Sequence, residues 1–120
     1  MDLSDHWLGV GASCARGPLW VIELKGDFDH ENVNDVAEAT AHAAREHDGP
    51  IAFDMEALTF CDSSLLNHVL LVTRRRRVLL VAVPPPALRL FEVTGTDGYL
   101  EMFETVEDAV RAVAGGEELP

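Results

Sequence analysis

Short apolar runs of strand period alternate along this chain with longer stretches of helical period. Leu19 to Lys25 places Trp20, Ile22 and Leu24 on one face, the two-residue period of a strand, and Gly26 ends it. Ahead of it, Leu8 to Ser13 reads as an edge strand, with Gly17-Pro18 as the turn between the two. Val33, Val36, Ala37, Thr40, Ala41 and Ala44 then fall at helical spacing and form one apolar stripe. Asp29 suits the N-cap of this helix, Asn32 is the competing choice, and Gly49-Pro50 punctuates its end. Ile51 to Asp54 is short and apolar enough to be a buried strand.

A second helix begins near Asp62-Ser63-Ser64 and runs to about Arg74. Val78 to Val83 is an unbroken apolar run, which suits a central parallel strand covered on both faces. Pro84 to Pro86 interrupt helix and ladder alike, after which Ala87 to Val93 reads as a short helix with Gly95 as its C-terminal cap. Tyr99 to Phe103 is a last strand. Thr105 N-caps a final helix with Val106, Ala109, Val110 and Val113 inward, and Glu107 and Asp108 suit its first turn. The order is β-β-α-β-α-β-α-β-α. That order predicts an α/β fold: one domain over residues 1–120, its core about 7–114, with a mostly parallel or mixed sheet of about five strands and helices on at least one face. Met1 to His6 and Gly115 to Pro120 read as frayed ends.

Composition narrows the partners. A formal net charge of −12 on 120 residues repels phosphate backbones and anionic headgroups, so neither nucleic acid nor membrane is expected as principal partner. No apolar run is long enough to span a bilayer, and Met1 to His6 carries no Lys or Arg of the kind that opens a secretory signal. Cys14 and Cys61 lie far apart and form no C-x-x-C pair, which points to a reducing, cytoplasmic setting without a zinc site or disulfide framework.

Three segments carry a resemblance to a known family. Leu24 to His30 reads L-K-G-D-F-D-H. Phe53-Asp54 is followed by Thr59-Phe60-Cys61-Asp62-Ser63-Ser64. Pro84-Pro85-Pro86-Ala87 precedes Leu90-Phe91-Glu92-Val93-Thr94-Gly95. In this order the segments resemble the STAS domain family, named for sulfate transporters and anti-sigma factor antagonists, over about Trp7 to Ala114. The resemblance implies a small regulator with no enzymatic activity and no cofactor. It would bind an anti-sigma factor, often itself a serine kinase, free a sigma factor, and let go once phosphorylated. By position it implies Ser64 as phosphoacceptor, with Ser63 the lesser candidate, and a partner surface of Asp29, His30, Asp62, Ser63, Ser64, Leu65 and Asn67. Leu65 and Asn67 stand where soluble members carry glycines, so a bulky leucine is expected beside the acceptor. A monomer or weak dimer is expected. The alternative within the family is a scaffold module that does not switch.

Other chemistries fit the residues less well. Ser64, His68 and Asp62 superficially suggest a hydrolase, but no G-x-S-x-G elbow or oxyanion loop accompanies them. His68 reads as a helix-face residue able to neutralise a phosphate on Ser64. His42 and His47 lack a matching ligand pair, and Asp27, Asp29 and Glu31 lack the rest of a calcium loop. Those acids read instead as caps of the first helix. Arg74 to Arg77 is explained by the dipole at the end of the second helix, Pro84 to Pro86 by a rigid connection, and Cys61 by core filling.

Overall fold

The computed structural model describes residues 7–116. The expected frayed ends at Met1 to His6 and at residues 117–120 lie outside them. The elements are β1 (Val10–Arg16), β2 (Leu19–Phe28), α1 (Val33–Glu46), β3 (Ile51–Cys61), α2 (Ser63–Thr73), β4 (Val78–Val81), α3 (Pro85–Val93), β5 (Glu101–Phe103) and α4 (Val106–Gly116). The five strands form one sheet in the order β1-β2-β3-β4-β5. β1 pairs with β2 antiparallel, and every later pairing is parallel.

Strand order that advances in one direction has a consequence for the helices. Crossovers of one hand put every helix that connects two parallel strands on the same face of the sheet. Accordingly α1, α2 and α3 share one core, where Val36, Ala39, Leu65, Val69 and Phe91 meet Ile22, Leu24, Phe53 and Leu80. Only α4, which follows the last strand, packs on the other face, where Ala109 and Val113 meet Leu19, Val21, Ala52, Leu79 and Val81. β4 serves both cores with alternate residues, as its unbroken apolar run requires.

Several boundaries differ from the sequence reading. β2 continues through Gly26, which takes φ +83, and reaches Phe28 with a register shift on the way. β3 runs to Cys61 rather than ending at Asp54, again across an irregularity, with Glu23 opposite Asp54 and then Lys25 opposite Ala57. β4 is shorter than expected and stops at Val81, before Ala82 at φ +55. Pro85 and Pro86 do not block α3 but sit in its first turn, where no intrahelical N–H is needed. Tyr99 closes a short 3₁₀ turn (Asp97–Tyr99) instead of starting β5.

α1 is also rotated from its expected phase. Val36, Ala39, Thr40 and Ala43 are buried, while Ala37 and Ala44 are half-buried and Ala41 is exposed. The expected caps of α3 and α4 are present. The Thr105 hydroxyl accepts from Asp108 N–H at 3.0 Å. Gly95, at φ +73, completes a Schellman ending of α3, with Thr96 N–H donating to Phe91 O at 2.9 Å and Gly95 N–H to Glu92 O at 3.1 Å. α4 extends through Gly116, beyond the expected start of the tail at Gly115.

Candidate functional site

The parallel register of β2 and β3 sets Asp27 opposite Phe60 and Phe28 opposite Cys61. Two segments more than thirty residues apart therefore leave the sheet side by side at the C-terminal ends of their strands, where open α/β sheets place their sites. Asp62 N–H donates to Phe28 O at 3.1 Å and locks the two exits together. One step on, the Asp62 carboxylate accepts from Ser64 N–H at 2.8 Å. Asp62 is thus the N-cap of α2, which leaves Ser63 and Ser64 as its first two residues.

Exposure sorts the residues expected to meet a partner. Ser63, His30 and Asn67 are exposed, and Ser64, Asp62 and Asp29 are half-buried. Leu65 is not on this surface at all. At 1% exposure it lies in the core with Leu66 and Val69, so the bulky neighbour of Ser64 points inward and leaves the surface beside the serine clear. The expected contact through Leu65 is withdrawn on that ground.

The loop ahead of α1 departs from expectation as well. Asp29 accepts from Glu31 N–H at 2.9 Å, an Asx turn, and caps no helical N–H. Asn32 holds the cap position but turns its side chain back, accepting from Asp29 N–H at 2.8 Å and donating to Asp27 O at 2.7 Å. Asp27 in turn accepts a short hydrogen bond from the Thr59 hydroxyl. These acids shape the loop; they do not cap the helix. Asp27, Asp29, Glu31 and Asp62 leave this end of the sheet with a collar of carboxylates.

Phe60 was missed by the sequence reading as a surface residue. It stands 53% exposed beside this collar, directly before the Cys61-Asp62-Ser63-Ser64 turn. Strand alternation gives no signal for it, because Thr59 and Phe60 are both exposed ahead of buried Cys61. Burial, and then the neighbouring Asp62 charge, push the Cys61 thiol above its ordinary pKa.

His68 does not join Ser64. Its ring packs edge-on against Phe53, and Nε2 lies 3.0 Å from Thr40 Oγ1 on α1. The Thr40 hydroxyl donates to Val36 O at 2.7 Å, so it accepts from His68 Nε2, which fixes the tautomer with the proton on Nε2. Burial lowers the pKa of His68 below 6.5. A neutral ring committed to Thr40 neither activates a serine nor neutralises a phosphate. Because the folded-state pKa is the lower one, this histidine contributes stability above pH 6.5 that is lost as pH falls toward the folded value. Proton NMR of the ring should give a midpoint below 6.5, and His68→Gln should flatten that part of the stability profile.

Among the described residues no group of three or more His, Cys, Asp or Glu is arranged to hold a metal ion, and no helix is long and apolar enough to cross a membrane.

A family profile described as "Mlab, STAS domain" matches residues 17–106. The chain belongs to the STAS domain family. Among solved structures, it is 29% identical to the anti-sigma factor antagonist SpoIIAA in its unphosphorylated form, with a TM-score of 0.69 over 81% of this chain and 89% of that one. The Bacillus cell fate determinant SpoIIAA in its phosphorylated form is 26% identical, with a TM-score of 0.65 over 87% and 98%. An anti-sigma factor antagonist from Mycobacterium paratuberculosis, 22% identical, shares the fold with a TM-score of 0.74 over 88% and 91%. No curated protein matches the chain. The STAS sheet, with three helices on one face and one on the other, accounts for the whole set of elements described above.

Proposed function

We propose that this STAS domain is an anti-sigma factor antagonist: in the cytoplasm it binds an anti-sigma factor that is also a serine kinase, frees a sigma factor, and is switched off by phosphorylation of Ser64. It acts by binding, not catalysis, and works as a monomer or weak dimer. The observation that carries the reading is the junction of the Asp27–His30 exit with the Asp62–Ser64 helix start. The likeness to SpoIIAA, whose solved structures include a phosphorylated form, supports it.

Physics supports a switch confined to this surface. A phosphate on Ser64 would sit at the N-terminus of α2, where unpaired N–H groups and the helix dipole favour negative charge, so the fold tolerates it. Toward a partner the same group adds about −1.5 to −2 charges to a rim that already holds four carboxylates. Loss of about 2 kcal/mol at the interface corresponds to roughly thirtyfold weaker binding. Ser64→Asp is expected to bind the anti-sigma factor about thirtyfold more weakly than Ser64→Ala, with both variants folded. Equal affinities by titration calorimetry would sink the switch and leave the scaffold module.

Phe60 is the apolar anchor of this surface in the proposed complex. Exposed aromatic side chains at the centre of an interface carry a disproportionate share of its energy. Phe60→Ala is expected to weaken the complex about tenfold while leaving the unfolding midpoint nearly unchanged, since the ring is already half in water.

A further inference from the structure

Between α1 and α2 lies a feature that the proposed switch does not use. The two helices leave between them a groove of about 800 Å³ that ends at the arginines after α2. That volume is within the range of about 300–1,000 Å³ typical of small-molecule sites. One wall is Ala37 and Ala41 of α1, and the other is Leu71 and Val72 of α2. Leu71 stands 59% exposed although it is a large apolar residue, and the rotation of α1 is what leaves its alanine stripe facing the groove instead of the sheet. The Thr40–His68 hydrogen bond also borders it.

The two arginines at its mouth decide what could fill it. Four consecutive arginines follow α2, and two of them have partners. Arg76 donates to the carbonyls of Ala44, His47 and Gly49, and Arg77 holds Glu101 in a bidentate pair at 2.8 Å. Arg74 and Arg75 line the groove and, among the described residues, pair with no carboxylate. On a chain of net charge −12, two unpaired cations beside an apolar trough are a local reversal of sign.

We propose that the α1–α2 groove binds an anionic amphiphile, its unbranched apolar chain lying between Ala37, Ala41 and Leu71 and its carboxylate or phosphate head held by Arg74 and Arg75. A single charged end and an apolar length match the way the groove is built, whereas the acidic collar at the other end of α2 would repel the same head. Arg74 and Arg75 stand at least ten residues of chain, about 15 Å of helix, from Ser64, while the wall of the groove reaches His68, one turn from the serine. The inference is independent of whether Ser64 is phosphorylated.

Titration calorimetry on the full chain, with dodecanoate and dodecyl phosphate below their critical micelle concentrations, tests it. Saturable binding of either anion is expected, and the preferred one identifies the head group. Dodecanol and dodecyltrimethylammonium should bind at least about tenfold more weakly. Arg74→Gln with Arg75→Gln should cost about tenfold in affinity, and Ala41→Trp, which fills the trough from an exposed position, should abolish binding. Leu71→Asn provides a second block should the tryptophan disturb folding, and circular dichroism identifies which variants remain native. No saturable binding of either anion, equal affinity for all four head groups, or wild-type affinity in the folded groove-blocking variant would overturn the proposal.

Discussion

Phe28→Ala should lower the unfolding free energy by about 4 kcal/mol, in the range measured for removing a buried phenyl ring. Phe28 is fully buried at the end of β2, and its ring comes so close to Gly9 that a Cβ there would lie 2.6 Å from its Cζ. Gly9 takes φ +78, so the approach of this backbone to the ring is built into the turn before β1. Truncation leaves a void that neither β1 nor α1 can fill without moving. Urea denaturation should show a lower midpoint with an unchanged slope. The effect should also reach function, because the Phe28 carbonyl holds Asp62 in place.

Arg76→Ala is expected to cost about 3 kcal/mol, far more than a surface arginine. Its guanidinium donates to His47 O at 2.6 Å, to Gly49 O at 3.0 Å and to Ala44 O at 3.1 Å, taking up carbonyls at the C-terminus of α1 and in the turn that follows. One planar group thereby ties the ends of both helices to the turn before β3. Arg76→Lys should recover only part of the loss, since a point-like ammonium lacks the fork that spans three acceptors. Arg74→Ala is the control, with a change within about 0.5 kcal/mol in the same denaturation experiment.

Element order, the start of α2 near Asp62, the Thr105 and Gly95 caps and the two-sided burial of β4 were legible in the sequence because each rests on local chemistry. What was not legible depends on tertiary pairing. The second half of β3 hides behind Glu56, Ala57, Thr59 and Phe60, all exposed, so its apolar alternation fails just where the register shifts against β2. The phase of α1 was misread because an alanine-rich helix is apolar over more of its circumference than the sheet can cover. Leu65 was assigned to the surface by its place in a motif, and helix geometry turned it into the core. Arg76 was assigned to the dipole of its own helix, whereas its acceptors are on α1 and the turn that follows.

The pairing of Asp27 with Phe60 and of Phe28 with Cys61 also bears on what a reader of this surface can recognise. A synthetic peptide covering Thr59 to Leu70 would carry the serines and the aromatic anchor but none of the neighbours contributed by β2. The acidic collar comes into being only when the crossover through α1 has closed and the parallel strands have zipped. Under the proposed function, a kinase or partner that reads the collar together with Ser64 would therefore distinguish a finished domain from a nascent or unfolded one, checking folding before it acts on signal.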